Sequence, residues 1–364
     1  MENEVHKIQF ETVLVMQGGG SLGAYECGVY KALERHGIKF DIVAGTSIGA
    51  INAGIIAGSK SGHPSKDLED FWLHIAEYVT PTMLSDQMRS YAAWMYSATY
   101  GNAGMFVPTW PFLPNSPYLY DLGPLRSTLG RYIDFEKLSP HDNSNHHYRL
   151  PRLIVTATDI QRSDSVVFDS HRERITAEHL TACAGYPFYG ISWTKVNGRY
   201  LWDGSMMSNT PLREVIAESP RNDKRVYLVN LFPKHVEDLP QSMLDSLHRA
   251  RDIMYTDRTD NNIKMSKAVK RYLGLLREMY EFISDMPLDN SKKEKFLQIE
   301  KKYHRVARER GAIIENVVKI ERREDIPFIF EDTDFSVATI RKLILEGEKD
   351  AEQALKTTGP QSAI

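Results

Sequence analysis

The chain has two apolar runs near its N-terminus. Each run is followed by a glycine cluster and then by small and apolar residues. Residues 11–17 predict a buried strand and residues 24–33 the helix after it, and residues 38–44 and 50–57 repeat that order. Strands that alternate with helices are typical of a parallel sheet covered by helices. Residues 8–60 therefore predict the start of an α/β domain.

The alternation of strands and helices continues to residue 235. Helices are predicted over 65–79, 121–133 and 177–184, and strands over 153–158, 165–168, 199–203 and 226–231. The continuous apolar run at 226–231 is typical of a central parallel strand, because such strands are buried on both faces. We predict a first domain over residues 8–235, with a three-layer α/β/α architecture and a mainly parallel central sheet.

Residues 236–364 predict a mostly helical C-terminal extension packed on the first domain. Residues 241–323 are helical in pattern and carry 19 Lys and Arg against 13 Asp and Glu, although the whole chain has a net charge of -3. A short strand is predicted near 328–330 and a final helix over 335–355. An apolar seam with steps of four and three residues runs through Met265, Val269, Tyr272, Leu276, Met279 and Ile283. Packing of these helices on the core is favoured, and a homodimer or an anionic-membrane contact is the alternative.

Composition limits the classes of function. The 364 residues are 42% hydrophobic and 26% charged, which is normal for a globular protein, and no apolar run approaches the ~20 residues that span a bilayer. The polar N-terminus contains no visible secretory signal, so we expect a cytoplasmic protein, with membrane association left open. The net charge gives no reason to expect nucleic acid, and no residue spacing predicts a metal or a cofactor.

The pentapeptide Gly45-Thr46-Ser47-Ile48-Gly49 lies between the second predicted strand and its helix and has the form G-x-S-x-G. A serine on such a sharp turn exposes its hydroxyl, and the flanking glycines avoid a clash of Cβ with neighbouring backbone. The amides at the start of the next helix point to where an oxyanion would form. Ser47 is therefore the predicted nucleophile, and the amide of Ile48 is a predicted oxyanion-hole donor.

A second glycine cluster follows the first predicted strand, at residues 18–23. It satisfies G-x-G-x-x-G, so a nucleotide-binding module is one interpretation. That interpretation needs an acidic residue at the end of the next strand, whereas Asp41 lies at its start. The other interpretation is an oxyanion loop, in which the amides of Gly18, Gly19 and Gly20 converge on a negative charge, and it explains both glycine clusters.

A third motif, Asp203-Gly204, ends a predicted strand and presents a carboxylate at a tight turn, which alone is a common turn sequence. In this order the three motifs resemble the patatin-like phospholipase family over about residues 10–235. The resemblance implies a patatin-like fold and phospholipase A-like or lysophospholipase-like hydrolysis of lipid esters. It also implies a Ser-Asp dyad, with Ser47 as nucleophile and Asp203 as general base.

Two positions depart from the family pattern. Leu22 stands where many members carry a basic residue, and Ser205 replaces the usual Gly or Ala after Asp-Gly. The segment Asp334-Phe335-Ser336 resembles a bacterial branch associated with other esters, so hydroxyacid polyesters of the polyhydroxyalkanoate type are an alternative substrate class.

A Ser-His-Asp triad is the rival catalytic arrangement, and it requires a histidine late in the chain. His235 and His304 are the candidates. Residues 83–120 combine many aromatic side chains with prolines and predict either a loop packed on the core or an acyl-pocket wall that contacts lipid. The predicted substrate-binding residues are Trp110, Phe112, Tyr186 and Phe188.

Overall fold

The computed structural model describes residues 10–80, 92–93, 95–97, 99–109, 116–140, 150–219, 222–256, 259–286, 290–309, 312–324 and 331–358. Its helices are α1 (Gly23–Arg35), α2 (Ile48–Ala57), α3 (Pro64–Glu77), α4 (Gly123–Tyr132), α5 (Ala177–Ala182), α6 (Leu212–Glu218), α7 (Met243–Tyr255), α8 (Thr259–Ser284), α9 (Asn290–Glu309) and α10 (Val337–Thr358). Its strands are β1 (Phe10–Met16), β2 (Ile42–Thr46), β3 (Val107–Pro108), β4 (Tyr120–Asp121), β5 (Arg152–Asp159), β6 (Asp164–Asp169), β7 (Thr194–Val196), β8 (Arg199–Asp203), β9 (Asp223–Asn230) and β10 (Ile314–Glu321).

One sheet forms the centre of the molecule, in the strand order β10-β9-β1-β2-β5-β8-β7, with β6 also paired to β5. The pairs from β10 to β5 are parallel, and β6, β7 and β8 add antiparallel pairs at the other end. Two apolar clusters cover the opposite faces of the sheet. The predicted α/β class with a mainly parallel central sheet is confirmed.

The side chains of β1 explain why helices cover both faces. Val13 and Val15 belong to one apolar cluster, whereas Leu14 and Met16 belong to the other, because successive side chains of a strand point to opposite faces. The strand lies between β2 and β9 and is parallel to both. The segments after β1 and β2 therefore leave the same edge of the sheet side by side, which brings the two glycine clusters together.

The helical prediction for residues 241–323 is wrong at its end. Residues 314–321 form β10, which lies parallel to β9 at the edge of the sheet. Apolar and polar residues alternate in this segment, which is the pattern of a strand with one buried face. The strand predicted near 328–330 lies outside the described residues. Because β10 extends the sheet and α10 packs along α1, the division at residue 235 stays a prediction.

Helices α8 and α9 form a hairpin that contacts the rest of the protein near its base. Thr259 and Ile263 are the buried side chains described in α8. Further along, the ring of Tyr280 stacks between those of Phe296 and Tyr303, with centroid distances of 5.7 and 4.9 Å. Among the described helices, none is both long and apolar enough to cross a bilayer.

Candidate active site

The turn between β2 and α2 holds Ser47 in a strained backbone conformation. Its φ of 55° and ψ of −126° are rare for a residue with a side chain and are typical of a nucleophile elbow. A Cβ at position 45 would lie 2.1 Å from the Gly49 carbonyl oxygen, and one at position 49 would lie 2.7 Å from that of Met16. Only glycine fits at both positions, so the sharp turn depends on the glycines of the pentapeptide.

Asp203 lies at the end of β8 and is fully buried. Its Oδ1 accepts a hydrogen bond of 2.8 Å from the Ser205 amide, and its main-chain oxygen accepts one from Thr158. Burial raises the pKa of Asp203 to about 6, against the lowering effect of hydrogen bonding by Ser47 and Ser205. The pKa of the Asp203 carboxyl group therefore lies closer to neutral pH than that of an ordinary aspartate.

The contact between Ser47 and Asp203 is close but not ideal. The Ser47 hydroxyl is near enough to lower the Asp203 pKa, yet Asp203 Oδ2 has no hydrogen bond of normal geometry among the described residues. Catalytic hydrogen bonds are often long in a free enzyme and tighten when substrate binds. Oδ2 is therefore the oxygen with room to accept a proton.

The glycine loop, residues 18–23, lies beside Ser47. A Cβ at Gly18 would come within 2.8 Å of the Ser47 Cβ. The Gly18 amide donates a 3.2 Å hydrogen bond to the Asn209 carbonyl, which removes it from the predicted oxyanion donors. The amides of Gly19, Gly20 and Ile48 donate to no acceptor in the described parts of the chain, and all three residues line the pocket that contains Ser47.

That pocket has a volume of about 560 Å³ and largely apolar walls. Tyr186 and Phe188 line it, as predicted, whereas Trp110 and Phe112 lie outside the described residues. Part of the aromatic segment 83–120 also contributes, through Met105, Phe106, Leu119 and Tyr120. The sequence analysis missed further lining residues, namely Tyr189, Phe232, Tyr255, Asp332 and Phe335.

None of the described histidines lines this pocket. His235 is exposed and lines a separate cavity of about 1130 Å³ between the end of β9, α7 and β10. The side chain of His304 is outside what the structure describes. Among the described residues, Asp203 is a titratable group that interacts with the Ser47 hydroxyl.

A network of buried charges supports the back of the glycine loop. Arg251 Nη2 and Arg322 Nη2 both donate to Glu331 Oε1, at 3.0 and 2.9 Å. The Glu331 carbonyl accepts a 2.8 Å hydrogen bond from Ser21, and the Asp332 carbonyl blocks any side chain at Gly20. The short turn of residues 331–333 thus fixes the loop from behind.

Three members of this region, His248, Asp252 and Glu324, have ligand atoms within 4.8 Å of one another, as a metal site would. However, Arg251 Nη2 lies 3.2 Å from His248 Nδ1. Arginine only donates, so the ring proton lies on Nε2, which faces Glu324 at 2.8 Å and Asp252 at 3.4 Å. A metal ligand would need a lone pair there, so the group fits a charge network better than a metal centre.

Comparisons with known proteins agree with the motifs. A family model described as patatin-like phospholipase matches residues 14–216. A segment of 44 residues is 52% identical to Lysophospholipase NTE1 of Scheffersomyces stipitis, covering 12% of this chain and 3% of that protein. A segment of 59 residues is 41% identical to patatin-like phospholipase domain-containing protein 6 of Mus musculus, covering 16% and 4%.

Solved structures show only distant likeness. VipD from Legionella pneumophila aligns over 95% of this chain and 67% of its own, at 15% identity and a TM-score of 0.39.

Proposed function

Because the chain belongs to the patatin-like phospholipase family, we propose that it is a serine acyl-ester hydrolase that cleaves lipid esters through a Ser-Asp dyad. The observation that carries the proposal is the pairing of a strained Ser47, at the floor of an apolar pocket, with a fully buried carboxylate whose pKa is raised to about 6. The similarity of a short segment to a protein named as a lysophospholipase supports a lipid ester as substrate.

The proposed reaction proceeds through an acyl-enzyme. Ser47 Oγ attacks the ester carbonyl carbon while its proton passes to Asp203 Oδ2. The amides of Gly19, Gly20 and Ile48 donate to the oxyanion of the tetrahedral intermediate. Collapse of the intermediate breaks the bond to the leaving oxygen, which takes the proton from Asp203. A water then attacks the acyl-serine with Asp203 again as base, and the products are a fatty acid and the regenerated enzyme.

The raised pKa of Asp203 makes this chemistry easier. A carboxylate with an ordinary pKa of 3.8 is a weak base for a serine hydroxyl. Each unit by which burial raises the pKa of Asp203 brings it closer to the pKa of the serine hydroxyl. A pKa of about 6 still leaves the carboxylate deprotonated at neutral pH. A buried dyad without histidine therefore has a physical basis.

The position of Asp41 argues against the nucleotide-binding alternative. That carboxylate accepts a 2.9 Å hydrogen bond from the Thr12 amide, at the start of β1 and β2. The glycine loop follows the other end of β1, so Asp41 is not placed to hold a ribose beside it. Binding of NAD or ATP by the purified protein would revive this alternative.

The test of the proposal is active-site labelling with a fluorophosphonate. We expect the wild type to be labelled at Ser47 and Ser47→Ala to show neither labelling nor ester turnover. Full labelling of the alanine variant would disprove the assignment of the nucleophile. A panel of phospholipids, lysophospholipids, glycerides and hydroxyacid oligomers then distinguishes lipid hydrolysis from the polyester alternative.

A further inference from the structure

Helix α7 turns a polar face toward the protein and an apolar face toward solvent, which is the reverse of a typical surface helix. Its inner face carries Arg251, His248 and Asp252, all buried or nearly so. Its outer face exposes large apolar side chains, with Met243 77% and Met254 68% exposed. Leu244, Leu247 and Ile253 are exposed with them. A surface helix normally turns its apolar stripe to the core.

Ion pairs on the inner face and the packing of its last residue, Tyr255, against Phe232 hold this helix in place. Arg251 contacts Glu331 at 3.0 Å and Asp332 at 3.3 Å, and His248 contacts Glu324 at 2.8 Å. The largely exposed apolar side chains of the outer face are not part of these contacts. Contiguous exposed apolar surface on a folded protein marks a place where something binds.

The C-terminal end of α7 reaches the pocket that contains Ser47. Tyr255, the last residue of α7, lines that pocket, and its hydroxyl hydrogen-bonds to Tyr186. Its main-chain oxygen accepts from Gln17 Nε2 at 3.1 Å, which anchors the end of the helix at the site. The ring of Phe188, which also lines the pocket, lies 5.5 Å from that of Tyr186, and Phe188 is 71% exposed. Exposed apolar surface therefore lies beside the pocket.

The hairpin of α8 and α9, which follows α7 in the sequence, combines exposed apolar residues with a net positive charge. Helices α8 and α9 contain twelve Lys and Arg against six Asp and Glu, a balance of +6. The outer side of α8 also exposes apolar residues, namely Met265, Tyr272, Leu275, Leu276, Met279 and Phe282. Apolar side chains flanked by cations are the pattern of helices that lie in the interface of an anionic bilayer.

We propose that the outer faces of α7 and α8 dock on an anionic lipid surface and bring the pocket entrance to the bilayer, an inference that rests on the proposed lipid hydrolysis. A lipid then reaches Ser47 without passing through water. A second copy of the chain is a poorer occupant, because pairing two hairpins of charge +6 would oppose like charges.

The experiment compares full-length variants by flotation with vesicles of phosphatidylcholine, with or without phosphatidylglycerol. We expect the wild type to float with the phosphatidylglycerol vesicles. The combination Met243→Ser, Leu247→Ser and Met254→Ser should bind them about a hundredfold less. Its turnover of a short soluble ester should be unchanged, which also shows that it is folded. Leu345→Ser, on α10 and 67% exposed, is the matched control and should bind like wild type.

A second variant tests the charge. Lys264→Gln, Lys267→Gln and Arg271→Gln, at exposed positions of α8, should weaken binding to phosphatidylglycerol vesicles only. This variant carries the test if the α7 variant fails to fold. Ser47→Ala should bind vesicles fully, so failure of the proposed chemistry and failure of this surface are distinguishable. The proposal is overturned if neither variant changes vesicle binding. It is also overturned if the wild type does not bind anionic vesicles. A wild-type dimer that the α7 variant converts to monomer would assign the face to a second copy.

Discussion

At the scale of single residues, the proposed role of Asp203 as base predicts that its burial sets both the rate and the pH dependence of turnover. The carboxylate must be deprotonated to accept the Ser47 proton, so turnover of a soluble ester should rise with pH through about 6 and then level off.

Asp203→Asn should lower kcat about a thousandfold. His235→Ala, in the separate cavity, should retain most activity. Loss of activity in the histidine variant alone would replace the dyad with a triad.

The same burial predicts that Asp203 reduces the stability of the folded protein. Its pKa rises from 3.8 in the unfolded chain to about 6 in the folded one, so between these values the folded state binds more protons. Stability therefore falls as pH rises through this window, and the full loss is present above about pH 6. Urea unfolding at pH 8 should show Asp203→Asn more stable by up to ~3 kcal/mol, with no gain near pH 3. An equal gain at both pH values would point to another cause.

At the scale of elements, the glycine loop and the turn of residues 331–333 act as one unit. Gly20 has a φ of +56°, and an added Cβ would lie 2.2 Å from the Asp332 carbonyl oxygen. Gly20→Ala should therefore displace the amides that face the oxyanion and lower kcat on every ester. Gly37→Ala is the matched control, because its φ of +72° gives similar strain with nothing near the added atom. The control should lose some stability and no activity, and equal activity losses would show that strain alone is responsible.

Elements built from local sequence were predictable, whereas their distant partners were not. The order strand, glycine loop, helix, strand, elbow and helix was readable because each feature depends on neighbours within a few residues, as Gly45 and Gly49 show around Ser47. β10 was missed because its short alternation lies among charged residues that suit a helix equally well. The pocket wall at Asp332 is more than 300 residues from Gly20, and no local pattern encodes that contact.

At the scale of the whole molecule, charge is unevenly distributed. The chain has a net charge of -3, so the +6 of α8 and α9 leaves -9 on the remainder. Attraction of the hairpin to anionic vesicles should therefore weaken as salt rises above about 0.15 M, where the Debye length is already ~8 Å. Flotation at increasing salt concentration measures this, with turnover of a soluble ester as the salt-insensitive control. Binding that is independent of salt would mean that apolar contacts alone hold the protein on the bilayer.

The support of the glycine loop by residues near the C-terminus also sets an order of events during synthesis. Ser21 hydrogen-bonds to Glu331, 310 residues further along the chain. A ribosome therefore releases Ser47 and Asp203, the proposed dyad, well before the segment that supports the glycine loop. Contacts so distant in sequence form late in folding. The glycine loop should therefore reach its final shape only after the segment around Glu331 has been synthesised.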